Sequence, residues 1–245
     1  MSFPRRIVAV TSVLLGAFGA VACSPESKPV SALPGERPAP EADDGTEARP
    51  ELAIPTDAPR VVFLGDSIAA GLHLSADDAF PAALQRELAR RGRPFELVNA
   101  GVSGDTSAGG LRRVDWVLGQ KPAVLVVELG ANDGLRGQDV ASIEANLRAI
   151  VQRAKAAGAR VLLLGVRLPP SLGTDYVARF EALYPRVAED EGVPFVPFFM
   201  EHVGGVAEMT LEDGIHPNRA GHERIAQNVA GPLEALLASL DQERR

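Results

Sequence analysis

Short apolar runs alternate with stretches of helical spacing along the chain from residue 60 onward. The apolar runs, rich in leucine and β-branched residues, lie at 61–65, 95–101, 123–130, 160–166 and 193–199. Because each run is apolar throughout rather than at every second position, it is typical of a strand covered on both faces. The stretches of helical spacing lie at 78–91, 105–118, 141–157, 174–190 and 219–240. This order predicts an α/β domain over residues 60–245, with a five-stranded parallel sheet in three α/β/α layers.

The N-terminal segment follows a different pattern. Arg5 and Arg6 precede an uncharged, mostly apolar run over 7–22, as in a secretory signal peptide. The run has about 16 residues, fewer than the ~20 that a membrane-spanning helix needs. We therefore predict an exported protein with a signal peptide over residues 1–22, rather than a permanent transmembrane anchor.

The end of this run has two interpretations. Ala20-Val21-Ala22 fits the small-residue cleavage site of a secreted protein, and Cys23 follows it directly. The same residues resemble a bacterial lipobox, in which the cysteine is lipidated, although Ala20 stands where such motifs usually have leucine. We expect lipidation at Cys23 and a location on the periplasmic face of a membrane. Ser24, which is not an aspartate retention signal, favours the outer membrane. A soluble periplasmic protein is the alternative.

Residues 23–59 form a third region, rich in Pro, Ala and Glu and almost without large apolar side chains. Such a segment cannot bury enough surface to offset its conformational entropy, so we predict a disordered tether. Between residues 24 and 59 there are 8 acidic and 3 basic side chains, which account for −5 of the formal charge of −7. The acidic balance therefore belongs mostly to the tether and says little about a substrate.

Composition argues against several classes of protein. With 25 Lys+Arg against 32 Asp+Glu, the chain lacks the basic surface that a nucleic-acid binder needs to displace counterions from phosphates. A single cysteine excludes an intramolecular disulfide framework and a zinc site of the CxxC type. The four histidines have no metal-ligand spacing with a carboxylate. We therefore predict no nucleic-acid partner, no metal and no cofactor.

Polar residues follow three of the predicted strands and suit acyl transfer. Ser67 comes after the first strand, at the start of a helical turn, where a nucleophile would be exposed beside free amide N–H groups. Gly101, after the second strand, could offer its N–H to a developing negative charge, because no Cβ blocks the approach. Asn132, after the third, could offer its neutral side-chain amide. Each residue also fits a structural role, as a helix N-cap or in an ordinary turn.

A fourth polar segment precedes the last predicted helix and contains Asp213 and His216. At this spacing the carboxylate can hold the Nδ1–H of the imidazole and leave Nε2 free as a base. His216 is the one histidine with a carboxylate so spaced in a turn-rich loop. We interpret His73, His202 and His222 as surface or packing residues.

Together and in this order, these segments resemble the SGNH (GDSL) hydrolase family, over about residues 60–240. The resemblance is strongest to the thioesterase, lysophospholipase and arylesterase branch of that family. It rests on the segments VVFLGDSIAAG, NAGVSGDTSAGGL, VVELGANDGLRG, VRLPPSLGTDYVARFEALYP, VPFVPFFMEHV and EDGIHPN. The resemblance implies a flavodoxin-like sheet and a shallow site, in which an acyl chain would lie in a groove rather than in a deep tunnel.

The resemblance also implies a role for each candidate residue. Ser67 would be the nucleophile, His216 the general base and then acid, and Asp213 the residue that orients His216. The oxyanion hole would consist of the N–H groups of Ser67 and Gly101 and the side-chain amide of Asn132. The implied activity is that of a serine esterase acting on carboxylic esters and also on thioesters, through an acyl-enzyme.

The sequence gives less direct evidence on the substrate and on the oligomeric state. Because an exported protein would not meet cytoplasmic acyl-CoA, we expect a lysophospholipid or another small acyl ester as substrate. Leu72, Leu168 and Pro169 are candidates for an acyl groove, and packing of loop against helix is their alternative role. We expect a monomer that meets the membrane through its lipid anchor. Two other functions stay open, namely a carbohydrate O-deacetylase on the same scaffold and a non-catalytic tethered binding lipoprotein.

Overall fold

The computed structural model describes residues 52–243. The predicted signal peptide, Cys23 and the part of the predicted tether up to residue 51 lie outside the described residues. Residues 52–59 contain no helix or strand, and the first strand begins at Arg60. The carbonyl of Pro59 already accepts a hydrogen bond from the N–H of Glu96, 3.0 Å away, so the chain joins the sheet directly after this segment.

The strands pair in parallel as one five-stranded sheet, which confirms the predicted fold class. The strands are β1 Arg60–Gly65, β2 Glu96–Gly101, β3 Val124–Glu128, β4 Arg160–Leu164 and β5 Phe195–Val196. Their order across the sheet is β2-β1-β3-β4-β5, as in flavodoxin-like folds. After β1 the chain adds β2 on one side, and it then adds β3, β4 and β5 on the other side of β1. Open α/β sheets bind ligands at such a switch point in strand order, which here lies between β1 and β3.

Helices cover the sheet on both faces. Within residues 52–243 they are α1 Ser67–Ala70, α2 Phe80–Arg90, α3 Ser107–Leu118, α4 Ala131–Leu135, α5 Val140–Ala156, α6 Thr174–Glu181, α7 Leu183–Glu191 and α8 Arg219–Glu243. Helix α2 packs on α8, while α5 packs between α3 and α7. The apolar residues of β1 and β3 are fully buried between these two layers, as their uninterrupted apolar runs predict. No helix between residues 52 and 243 has the length and hydropathy to cross a membrane.

Two predicted elements differ from the structure, and proline explains both. The predicted strand over 193–199 is reduced to β5, since Pro194 and Pro197 have no N–H to donate to a neighbouring strand. The predicted helix over 174–190 is divided at Ala182 into α6 and α7. Pro185 cannot donate to the carbonyl of Glu181, four residues earlier, so a continuous helix would lack that hydrogen bond.

Candidate active site

Ser67 lies at a sharp turn from β1 into α1. Asp66 caps the helix, because its Oδ1 accepts the N–H of Ile68 at 3.0 Å. The turn depends on Gly65, where an added Cβ would lie 2.5 Å from the Cβ of Ala69. The Ser67 N–H donates to no acceptor within residues 52–243, as expected of a first-turn amide. The serine therefore stands at a helix N-terminus with its own amide available.

A chain of two hydrogen bonds connects Ser67 with the loop before α8. The Oγ of Ser67 lies 3.0 Å from Nε2 of His216, although the two residues are 149 positions apart in sequence. The Nδ1 of His216 lies 2.5 Å from Oδ2 of Asp213. Asp213 Oδ1 also accepts the backbone N–H groups of Ile215 and His216, each at 2.9 Å. The structure thus brings together all three residues that the sequence proposed as nucleophile, base and orienting acid.

The carboxyl group of Asp213 is held as an anion by its hydrogen bonds. The His216 side chain, followed by the backbone N–H groups of His216 and Ile215, lowers the pKa of Asp213 to about 2. Such a carboxylate fixes the imidazole with a proton on Nδ1 and would stabilise a positive charge on the ring.

The loop that carries Asp213 and His216 is closed at its base. Thr210 and Pro217 form an isolated antiparallel bridge, and the Leu211 N–H donates to the carbonyl of His216 at 2.7 Å. Asn218 follows and donates its side-chain amide to the carbonyl of Glu208 at 2.9 Å. These contacts hold the imidazole over the carboxyl end of the sheet.

Asn132 approaches the same turn from the end of β3. It lies in α4 after Gly130, whose φ of +114° and tight fit against the hydroxyl of Tyr184 require glycine. Its Nδ2 donates to Oδ2 of Asp66 at 3.1 Å. An amide nitrogen has two hydrogens, so one stays available for a substrate oxygen.

Gly101 ends β2, as predicted, but the N–H group that the sequence suggested as an oxyanion donor already has an acceptor. Its N–H donates to Oδ1 of Asn99 at 3.0 Å, and the Asn99 Nδ2 donates to the carbonyl of Ala69 at 2.7 Å. A Cβ at Gly101 would lie 2.4 Å from the backbone nitrogen of Ala70. The residue is therefore needed for the close packing of β2 against α1, and its amide already has an acceptor.

Gly104, in the same loop, was missed by the sequence analysis. Its φ is +80°, and its N–H has no acceptor in the part of the chain that the structure describes. Its carbonyl lies 3.3 Å from Nη2 of Arg136, which is also 3.4 Å from Oδ1 of Asn132. Arg136 thus connects Gly104 with Asn132. A second glycine in NAGVSGDT, directly before a helix-capping segment, was the available signal.

Arg113 of α3 was also not singled out by the sequence analysis. Its guanidinium donates to the carbonyls of Gly65 at 2.9 Å and of Ala100 at 2.5 Å, and its Nε donates to Asp105 at 2.7 Å. It therefore joins the carboxyl ends of β1 and β2 to the loop that contains Gly104. A planar group with several fixed donors is well suited to such a junction.

The three candidates for an acyl groove have different surroundings. Leu168 is buried, and a Cβ at Gly134 would lie 2.7 Å from its Cδ2, so this leucine packs in the core. Leu72 is half-buried and Pro169 is exposed. Three other apolar side chains are exposed on segments that carry candidate site residues. Val102 and Ile215 lie on loops and Leu135 ends α4, with 48%, 52% and 42% of their surface accessible.

The remaining histidines occupy surface or packing positions, as predicted. His73 and His202 are exposed, whereas His222 is buried and accepts the N–H of Phe80 on Nδ1 at 3.0 Å. Among residues 52–243 there is no group of three or more His, Cys, Asp or Glu side chains arranged to hold a metal ion.

A flavodoxin-like α/β/α domain with a Ser–His–Asp chain at the carboxyl ends of its strands is the framework of a serine hydrolase. Residues 63–224 match the profile of the GDSL-like Lipase/Acylhydrolase family. The chain belongs to this family, which confirms the resemblance seen in the sequence.

Named relatives cover nearly the same part of the chain. Esterase TesA of Pseudomonas aeruginosa is 48% identical over 74% of this chain and 90% of its own length. Thioesterase 1/protease 1/lysophospholipase L1 of Escherichia coli is 43% identical over 74% of this chain and 86% of its own. The crystal structure of the esterase EstA from Pseudoalteromonas sp., inhibited by monoethylphosphonate, has a TM-score of 0.70 and 32% identity, covering 74% of this chain and 99% of EstA.

Proposed function

We propose that this protein hydrolyses carboxylic esters, and also thioesters, through an acyl-enzyme formed on Ser67. The observation that carries the proposal is the continuous chain from Ser67 Oγ through His216 to Asp213, with contacts of 3.0 Å and 2.5 Å. The names of the relatives, which include esterase, thioesterase, lysophospholipase and arylesterase, support the same reaction class.

In the first half of the reaction, Ser67 Oγ attacks the acyl carbon while His216 Nε2 takes the hydroxyl proton. The tetrahedral intermediate then breaks its bond to the leaving alcohol or thiol, and Nε2 returns the proton to that group. In the second half, a water gives a proton to Nε2 and attacks the acyl-serine. Collapse releases the carboxylic acid and restores the Ser67 hydroxyl with the same proton. Asp213 stays ionised throughout and stabilises the imidazolium.

The oxyanion would be held by three neutral donors. The Ser67 N–H lacks an acceptor in the described residues, and Asn132 has an amide hydrogen to spare. For the third donor we propose the N–H of Gly104, because Asn99 already accepts the N–H of Gly101. The Gly101 amide, proposed from the sequence, would take part only after its hydrogen bond to Asn99 had broken.

An apolar acyl chain is the substrate feature that the surroundings of the site favour. Val102, Leu135 and Ile215 are exposed on three separate segments that also carry Gly104, Asn132 and His216. Exposed apolar side chains around a polar centre are typical of a ligand-binding surface. We propose that they, with Leu72 and Pro169, accommodate a medium-length acyl chain. Leu168 would support this surface from below.

The decisive test is hydrolysis of p-nitrophenyl esters from acetate to palmitate, with Ser67→Ala beside the wild-type protein. We expect turnover that is highest at medium chains and falls about 10³-fold or more in the variant, since the nucleophile is lost. No ester turnover by a folded protein, or turnover that persists in Ser67→Ala, would overturn the proposal. Activity confined to acetylated carbohydrate would indicate an O-deacetylase instead.

We further propose that the chain is exported as a monomer, with residues 1–22 removed and a tether over 23–59 attached to lipid at Cys23. The lipobox-like segment directly before Cys23 supports this proposal. Mass spectrometry of the mature protein should find an acylated N-terminal cysteine, and Cys23→Ala should move activity from the membrane to the soluble periplasmic fraction. An unmodified mature N-terminus would overturn the anchor and leave a soluble periplasmic enzyme.

A further inference from the structure

Glu128 is a buried acid directly beneath the turn that carries Ser67. It ends β3, in register with Gly65 of β1, and no part of the residue is exposed. Its Oε2 accepts the N–H groups of Asp66 at 3.0 Å and Ala69 at 3.3 Å. A Cβ at Gly65 would lie 2.6 Å from this oxygen, so the glycine leaves room for the carboxyl group.

The two amides that Glu128 holds flank the nucleophile in sequence. Asp66, one residue before Ser67, is itself buried, and its two carboxyl oxygens accept from Ile68 N–H at 3.0 Å and Asn132 Nδ2 at 3.1 Å. A continuous set of contacts therefore runs from Glu128 through Asp66 to the amide that we assign to the oxyanion hole. Glu128 touches neither Ser67 Oγ nor His216, so its influence would be indirect.

Two neighbouring acids in this setting cannot both be charged without large cost. Burial, and then the negative charge of Asp66, raises the pKa of Glu128 well above its ordinary value. Burial also raises the pKa of Asp66, to about 6. Oε1 of Glu128 has no hydrogen-bond partner within the described residues, so no donor there would compensate the lost solvation of a negative charge on this carboxyl group.

We propose that Glu128 is a positioning residue that acts as a neutral acid, holding the Ser67 turn and, through Asp66, the direction of the Asn132 amide. The proposal rests on the proposed function, since the amide matters only if an oxyanion forms. A neutral carboxyl group can accept both backbone N–H groups on one oxygen without placing a second anion under the developing negative charge.

Two substitutions separate this role from simple packing. Glu128→Gln keeps the shape, the neutral charge and an accepting oxygen, so we expect kcat and KM within about threefold of the wild type. Glu128→Leu removes the oxygen that accepts the N–H groups of Asp66 and Ala69, so the turn that carries Ser67 is no longer held from below. We expect kcat to fall about 10²-fold, the scale of one lost oxyanion donor, with KM changed by less than about threefold. Val126→Ala, equally buried in β3, controls for destabilisation and should keep the wild-type kcat.

Amide hydrogen exchange gives a second measurement that does not require turnover. In the full chain, Glu128→Leu should lose protection at the amides of Asp66 and Ala69, whereas Glu128→Gln and Val126→Ala should keep it. A folded Glu128→Leu protein with wild-type kcat, or with both amides still protected, would overturn the proposal. Loss of activity in Glu128→Gln equal to that in Glu128→Leu would also overturn it, since a charged carboxylate would then be required.

The same experiments distinguish this proposal from the proposed function. Absence of Ser67-dependent hydrolysis in the wild-type protein would overturn the esterase assignment and the kinetic part of the Glu128 proposal together. Hydrolysis by the wild-type protein that Glu128→Leu leaves unchanged would overturn only the role of Glu128.

Discussion

Asp213 and Asp66 are two aspartates close to Ser67 whose side chains differ in exposure to solvent. The Asp213 side chain is 40% exposed and accepts three N–H hydrogen bonds, which lower its pKa to about 2. Asp66 is 1% exposed, and burial raises its pKa to about 6 despite the hydrogen bonds that it accepts. Asp213, in the loop before α8, is therefore an anion over the working pH range, whereas Asp66, in the turn before α1, changes its charge near pH 6.

The difference shows which physical effect dominates at each position. Hydrogen bonds from N–H groups favour a carboxylate, and they decide the charge where water still reaches the group. Desolvation beside a second acid opposes the charge, and it outweighs similar hydrogen bonds inside the protein. A fixed anion suits the side of the imidazole that becomes positive. A pair that carries one charge rather than two suits the side where the proposed oxyanion would form, because a second anion would add to the repulsion.

The largest effect is expected from Asp213→Asn, which keeps the shape but removes the anion. An amide at this position favours the wrong imidazole tautomer and cannot stabilise the imidazolium, so kcat should fall about 10³–10⁴-fold. Steady-state ester hydrolysis measures this effect. Glu212→Gln, an exposed neighbouring acid, should keep the wild-type kcat. A kcat for Asp213→Asn within tenfold of the wild type would contradict the assignment.

Asn132→Ala tests the other side of the comparison. Removal of one oxyanion donor costs about 2.7–4 kcal/mol, so kcat should fall about 10²–10³-fold with KM almost unchanged. Asn132→Asp should lose at least as much, because it adds a charge beside Asp66 and the oxyanion. Gln138→Ala, exposed just after α4, is the control. Equal activity of the wild type and Asn132→Ala would remove this amide from the mechanism.

Asp66→Asn tests whether burial sets the charge of Asp66. The pKa of Asp66 is about 6 in the folded protein and 3.8 as the ordinary value. Its stabilising contribution is therefore fully present below pH 3.8 and is lost as the pH rises through 6. This loss should reach up to about 3 kcal/mol of unfolding free energy relative to Asp66→Asn, measured by urea unfolding at pH 4 and 8. Asp115→Asn, on the exposed surface of α3, should follow the wild type.

His222 extends the comparison to a buried base, for which desolvation acts in the opposite direction. Burial lowers the pKa of His222 from 6.5 to about 4. The unfolded chain therefore binds a proton at a higher pH than the folded protein does, and stability should fall as the pH falls from 6.5 to 4. Relative to His222→Asn, the wild type should lose about 2–3 kcal/mol over this range in urea unfolding. Parallel pH profiles of the two proteins would show that burial does not set this pKa.

Local patterns in the sequence were sufficient to predict the sheet and to select the residues that the structure joins as the Ser67–His216–Asp213 contact chain. Uninterrupted apolar runs predicted the covered strands, and Asp213 and His216 are close enough in sequence for their contact to be inferred directly. The shortened β5 and the break before α7 were also accessible, because Pro194, Pro197 and Pro185 are visible in the sequence. The apolar and helical patterns continue across these prolines, so periodicity alone predicts a longer strand and an unbroken helix.

Other features depend on contacts that spacing does not reveal. Glu128 stands within an apolar run and gives no sign of a polar role until β3 is placed beside β1. The sequence indicates only that Arg113 is a charged residue on a helix, although its guanidinium joins the ends of β1 and β2. The choice between Gly101 and Gly104 depends on the side chain of Asn99, which accepts one amide and leaves the other available. Such pairings are decided by tertiary structure.

The distance of 149 positions between Ser67 and His216 has a consequence for biosynthesis. The turn that carries Ser67, the proposed nucleophile, is synthesised early, whereas His216, the proposed base, lies in the last segment before α8. A chain emerging from the ribosome therefore has the serine without its proposed base until synthesis is almost complete. On the proposed function, the protein becomes able to cleave esters only once the whole domain has been synthesised and has folded.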